Sequence, residues 1–170
     1  MADTQQQDAI ALLKQDHRTV EELFAQFEKA SGEGRKQKLA QQICLELSVH
    51  ATIEEEIFYP ACEGKVEEDL LKEAYVEHDG AKVLIAEIES GSEQSDEYFD
   101  AKVKVLQEQI EHHLEEEEKR MEGLFSQARK AGLDMEALGQ QLAQRKAELV
   151  STYKTSGLPK PEMTTLHETI

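Results

Sequence analysis

His50 and Glu54 stand four residues apart, as do His113 and Glu117, and one further histidine precedes each H-x-x-x-E pair, His17 before the first and His78 before the second. Residues at that spacing share one face of a helix, so each motif presents an imidazole and a carboxylate side by side. That ligand set suits iron, manganese or zinc, whereas magnesium and calcium prefer all-oxygen shells. Cys44 and Cys62 are the only cysteines and form no C-x-x-C pair, which removes iron–sulfur chemistry. There is no Ser/His/Asp set, no glycine-rich phosphate loop and no basic aromatic patch, so hydrolase, kinase and nucleic-acid functions have nothing to stand on.

The rest of the composition narrows the setting. Acidic residues number 36 against 19 basic, a formal net charge of −17, which repels nucleic acid and anionic membrane surfaces. The N-terminal MADTQQQDAI lacks the basic start and apolar run of a signal peptide, and no stretch reaches the roughly 18 apolar residues of a membrane span. With so few cysteines, a reducing, cytoplasmic location is expected. A chain of 170 residues fits one domain plus a short appendage. It can bury enough surface to be stable without a metal, so any metal would be there for function.

Ala, Leu, Glu, Gln and Lys dominate and Trp is absent, which favours helix nearly throughout. Helix punctuation predicts five segments: about Thr4 to Ala30, stopped by Ser31-Gly32-Glu33-Gly34; about Arg35 to Tyr59, ended by Pro60; about Glu67 to Glu89, stopped by Ser90-Gly91-Ser92; about Ser95, a candidate N-cap, to Lys130, closed by Gly132; and about Asp134 to Tyr153. Short connections make sequential neighbours antiparallel. The expected architecture is all-α: an up-down antiparallel four-helix bundle over 1–131, an additional C-terminal helix over 132–154, and a tail over 155–170 that drapes over the bundle or stays mobile.

The apolar stripes decide where the chemistry-bearing residues point. In the first helix Ile10, Leu13, Val20, Phe24 and Phe27 leave one inward slot, filled by His17; the second runs Leu39, Ile43, Leu47, His50, Glu54, Ile57. The third runs Leu71, Ala74, His78, Ala81, Ile85, Ile88, and the fourth Phe99, Val103, Leu106, Ile110, His113, Glu117, Met121, Leu124. A single inward histidine is more often an ordinary hydrogen-bonded core residue than a ligand. Four of them with two glutamates, and no Lys or Arg on the seams, are different: burying those carboxylates unpaired costs several kcal/mol per ion. A metal pair supplies the missing charge, with Glu54 and Glu117 bridging and His17, His50, His78 and His113 as terminal ligands.

Blander readings attach to the remaining candidates. His112 is rotated about 100° from the seam and is a surface residue or an outer partner of the site; His167 lies in the tail. Tyr75, one turn before His78, is read as a packing residue, with a phenol reaching the site as the alternative. Cys44 is a small buried hydrophobe. In Glu54-Glu55-Glu56 and Glu115 to Glu118 one carboxylate each points inward, and the rest form a solvated face. Leu138, Leu142 and Leu149 of the fifth helix pack on the bundle or dock a partner.

The ordered set H…HxxxE…H…HxxxE resembles the hemerythrin-like, or HHE cation-binding, family. The matching segments are His17 within LLKQDHRTVEELF, His50 and Glu54 within HATIEEEIFYP, His78 within EHDGA, and His113 and Glu117 within HHLEEEEKRM, over about residues 8 to 130. The resemblance implies a bundle around two iron ions bridged by the two glutamates and an oxo or hydroxo group, with manganese or zinc as substitutes. It also implies O2, peroxide or NO as the ligand. Oxygen-carrying hemerythrins add a histidine one turn from the third-helix ligand and an aspartate five residues after the fourth-helix histidine; Ala74, Lys82 and Glu118 stand there instead. The resemblance therefore implies sensing, stress response or iron handling over O2 storage, with catalase-like peroxide disproportionation or a metal-stabilised interaction module as the alternatives. Ferritin-like ligation needs Glu three residues before a ligand histidine, and Lys14, Leu47, Tyr75, Gln109 and Ile110 occupy those places.

Overall fold

The computed structural model describes residues 8–32 and 34–167, and among these the regular structure is all helical. The elements are α1 (Ala9–Lys29), α2 (Arg35–Ile53), a π-helical turn (Glu54–Phe58), α3 (Tyr59–Cys62), α4 (Glu68–Ser90), α5 (Phe99–Glu118), α6 (Leu124–Lys130) and α7 (Met135–Ser156). Asp8 caps α1 by accepting from the Ala11 amide at 2.8 Å, and Asp134 caps α7 through the Ala137 amide at 3.0 Å. The expected start at Thr4 lies outside the described residues.

The apolar stripes assemble two separate cores. The first takes Ile10 and Leu13 from the start of α1, Val49 and Ile53 from the end of α2, Leu71 and Ala74 from the start of α4, and Leu124 and Phe125 of α6. The second takes Phe24 and Phe27 from the end of α1, Leu39 and Ile43 from the start of α2, Ile85 and Ile88 from the end of α4, and Phe99 and Val103 from the start of α5. The helices α1, α2 and α4 therefore each run from one core to the other, α5 starts in the second core and leads to α6 in the first, and the direction alternates from α1 to α2 to α4 to α5. The helix α7 lies against α1 and α2, with Leu138, Leu142 and Leu149 buried in the first core. Its leucines pack on the bundle, as one of the two expectations had it.

Three local expectations are corrected. Pro60 does not end the second helix: the π-turn carries the chain past it to Cys62. Pro60 sits in the first turn of α3, where a missing N–H is least disruptive. The fourth helix stops at Glu118 instead of continuing to Lys130, and Met121, expected on the inward stripe, is 80% exposed with φ 70°. Gly123 then permits a tight return, since a Cβ there would lie 2.5 Å from the Lys119 carbonyl oxygen. Ser95 is not the N-cap of α5, which begins at Phe99 after a turn closed by Ser92 and Asp96. Among the described residues, no helix is long and apolar enough to cross a membrane.

Candidate metal centre

Between the two cores lies a polar layer. His17, His50, Glu54, His78, His113 and Glu117 are all at least 94% buried there, one histidine from each of α1, α2, α4 and α5. The ligating atoms of His17, His50 and Glu117 lie within 4.8 Å of one another, as do those of Glu54, His78 and His113. Each helix hairpin thus lends its glutamate to the other hairpin's histidine pair. The carboxylates also reach across: Glu54 Oε1 is 3.0 Å from His50 Nε2 and 3.2 Å from His78 Nε2, and Glu117 Oε1 is 3.3 Å from Nε2 of both His17 and His113.

An outer set of carboxylates aims the imidazoles. His17 Nδ1 donates to Glu118 at 2.9 Å, His50 Nδ1 to Asp16 at 2.9 Å, His78 Nδ1 to Glu55 at 3.0 Å and His113 Nδ1 to Glu77 at 2.9 Å. Each clasp comes from an adjacent helix, so the four close a ring around the bundle. With Nδ1 committed outward, every neutral imidazole turns its Nε2 lone pair inward. Nε2 of His17 and His50 are 3.2 Å apart, and those of His78 and His113 are 3.1 Å apart. Lone pairs at these distances repel unless a cation joins them. Glu54 Oε2 and Glu117 Oε1 are buried without a hydrogen-bond donor, a costly state for carboxylate oxygens. Each of the two clusters could hold a metal ion, and the layer is short of positive charge.

Without metal, protons fill that role. Burial opposes a charged imidazole, yet Glu54 and Asp16 push His50 up to about 10. Glu117, Glu54 and Glu77 hold His113 well above its ordinary value against the same burial, and Glu117 with Glu118 raises His17. Burial also opposes the inner carboxylates, but His50, His113 and His78 hold Glu54 well below the usual range. Burial and Glu54 both work against an ionised Glu117, which His113 and His17 nevertheless hold low.

Tyr59 is the residue that stripe reasoning missed. Its hydroxyl donates to Glu117 Oε2 at 2.8 Å and lies 3.1 Å and 3.3 Å from Nε2 of His78 and His113. Burial, Glu117 and Glu54 push its phenol well above its ordinary value, so it stays a neutral donor. In a regular α-helix a residue five after Glu54 would point about 140° away from it. The π-turn, with its i to i+5 bonding, brings the Tyr59 hydroxyl to 3.3 Å from Glu54 Oε1. The stripe accordingly leaves Ile57, which is only partly buried, and passes to Phe58 and Tyr59. No periodic signal marks this change; Pro60 close behind the second motif residue was the available hint.

The other candidates fall into place around this layer. Tyr75 packs edge-on against Tyr59 at 5.2 Å and is a packing residue. His112 is a surface residue, 3.3 Å from Glu77, and His167 is exposed. Cys44 and Cys62 are buried free thiols, and burial pushes Cys62 up to about 12. The acidic runs are not simply a solvated face: Glu55 and Glu118 are partly covered and clasp His78 and His17.

Comparison with known proteins agrees with this layout. The family model for the hemerythrin HHE cation binding domain matches residues 8–125. A DNA nickase from Nostoc sp. is 28% identical over 117 residues, covering 69% of this chain; the chain spans only 33% of that relative's length. A crystal structure of a hemerythrin HHE cation binding domain-containing protein from Mycobacterium kansasii superposes with a TM-score of 0.72 at 22% identity, over 89% of this chain and 94% of the other.

Proposed function

The chain belongs to the hemerythrin HHE cation-binding family, and from that premise we propose that it is a non-heme di-iron protein of the cytoplasm. It binds O2 or a related small oxidant, peroxide or NO, in sensing, stress response or iron handling. The observation that carries this reading is the inward convergence of four Nε2 atoms and two orphaned carboxylate oxygens in a buried layer.

His17 and His50 hold one ion, His78 and His113 the other, and Glu54 and Glu117 are shared between them, each reaching both histidine pairs. Bound iron supplies redox chemistry toward O2, peroxide or NO; manganese and zinc fit the same donors. The chain's own contribution is orientation and exclusion of water. Asp16, Glu55, Glu77 and Glu118 fix the imidazoles, and Tyr59 keeps a proton 2.8 Å from Glu117 Oε2. The nicking activity of the Nostoc relative is not extended to this chain, whose charge of −17 repels DNA.

Anaerobic loading with Fe(II) followed by metal analysis tests the reading. Two irons per chain are expected, with spectral changes on exposure to air, peroxide or NO, and O2 evolution from peroxide separates turnover from binding. A stoichiometry far from two overturns it.

A further inference from the structure

The two faces of the metal layer differ. Toward the first core, Tyr59, Phe58 and Phe125 are at most 2% exposed and seal the layer, Phe125 stacking on His17 with ring centroids 5.6 Å apart. Toward the second core the layer opens into a cavity of about 730 Å³ that begins at the four histidines. Val20, Leu47, Ala81, Ile85, Ile110 and Leu114 wall its inner end. Small side chains, Ser48 and Ala51 on α2 and Ala81 and Ala86 on α4, line the part between those helices. Its outer wall is the C-terminal segment, through Leu158, Pro159, Pro161 and Met163.

That segment is latched. The fully buried Asp79 carboxylate accepts from the amides of Thr164 at 3.0 Å and Leu166 at 2.9 Å and from the Thr165 hydroxyl at 2.7 Å. Thr164 Oγ1 donates to Glu55 at 2.8 Å, the same carboxylate that clasps His78.

A diatomic gas needs little more room than the ~30 Å³ of a water molecule. The cavity has instead the size and make-up of organic-ligand sites, about 300–1,000 Å³, apolar with a few polar groups at one place. An anion is disfavoured, since Glu55, Glu56, Glu89 and Glu162 line the wall, Lys82 and Arg145 are already paired with Glu55 and Glu56, and Lys160 lies on the outer segment; the apolar inner end disfavours burying a charge of either sign. We propose that this cavity binds a neutral organic molecule with a hydrocarbon body and one oxygen-bearing end, of the alcohol or hydroperoxide class, its oxygen toward the histidines and the Asp79-latched segment as its outer wall. The direction of the oxygen end rests on the metal reading above; the hydrocarbon site rests on the cavity alone.

The test uses the full chain loaded with zinc, which is redox-inert, with 1-hexanol and azide as probes followed by NMR. Hexanol is expected to shift the Ala81, Ile85 and Leu114 methyls saturably at one per chain, with contacts from its terminal methyl to Leu114. Plugs on two different helices, Ala81→Leu on α4 and Ile110→Phe on α5, each weaken hexanol at least tenfold, and either suffices if the other does not fold. Asp79→Asn speeds hexanol exchange at least fivefold. Two zinc ions per chain, azide shifts at the histidines and only linear, unsaturable hexanol shifts overturn the proposal and leave the metal reading standing. Saturable hexanol binding without zinc binding overturns the metal reading and the direction of the oxygen end, and leaves the hydrocarbon site.

Discussion

At Glu54 the second helix widens into a π-turn and carries on through Pro60 to Cys62, whereas α5 stops at Glu118, one residue past Glu117. The two H-x-x-x-E motifs thus have the same residues and opposite endings. The first ending delivers Tyr59 to His78 and His113; the second turns the chain back so that α6 delivers Phe125 to His17. One histidine pair borders a phenol and the other a bare ring. Helical period sets which side chains converge, and interruptions of the period set what surrounds them, so a repeated motif does not give two equivalent clusters.

The sharpest way to break this comparison is to remove a shared ligand and an unshared one. Because Glu54 reaches His50 and His78, Glu54→Ala is expected to abolish dinuclear loading, leaving under half an ion per chain by metal analysis. His78→Ala is expected to retain about one ion, held by His17, His50 and Glu117 together with Glu54, which still reaches His50. Equal loss in both variants would show that the pairs are not separable.

Acidity gives the next largest effect. His50 is raised to about 10 in the metal-free protein and His113 and His17 are raised in the same direction by the carboxylates beside them, so His50 is protonated at neutral pH and loading must expel its proton and any others held on the ligand imidazoles. Affinity therefore rises with pH, by about tenfold per pH unit for each proton displaced, and falling pH drives the metal out. Competition with a chelator between pH 6 and 9 measures the slope; a flat profile contradicts the proton-filled resting site.

Much of this arrangement was legible in the sequence, and the failures have two causes. Each long helix keeps its period up to its histidine, so His17, His50, His78 and His113 and their glutamates could be placed by counting. Past Glu54 and Glu117 the period breaks, and there Met121 was assigned inward in error, Ile57 packs only partly buried against the first core, and Tyr59 was overlooked. The outer clasps were hidden for a different reason: a Nδ1 atom points away from the seam, toward residues that a stripe analysis assigns to solvent. A signal did exist, since each clasp adjoins an inner residue in the chain: Asp16 by His17, Glu55 by Glu54, Glu77 by His78, Glu118 by Glu117.

Smaller tests sharpen the contrast between the two endings. Tyr59→Phe removes the phenol beside His78 and His113 and a buried hydrogen bond to Glu117, which reaches both pairs; affinity should change by about tenfold at the His78 and His113 ion, with a smaller change at the other ion in the cobalt(II) spectrum. Effects spread evenly over both ions would make the phenol a common feature instead of a local one. Met121→Gly relieves the left-handed backbone at φ 70° and should stabilise the metal-free protein by about 1 kcal/mol, seen as a higher thermal midpoint.

The division of the interior into two apolar cores with a polar layer between them reverses a familiar pattern of helix stability. A solitary helix frays from its tips inward. Here the interior on either side is pinned by Phe24, Phe27, Ile53 and their neighbours, while the layer between the two cores depends on charge balance. Emptied of cations and proton-poor, such a molecule is softest at its waist, so gain and loss of metal is felt first in the band that separates the two cores.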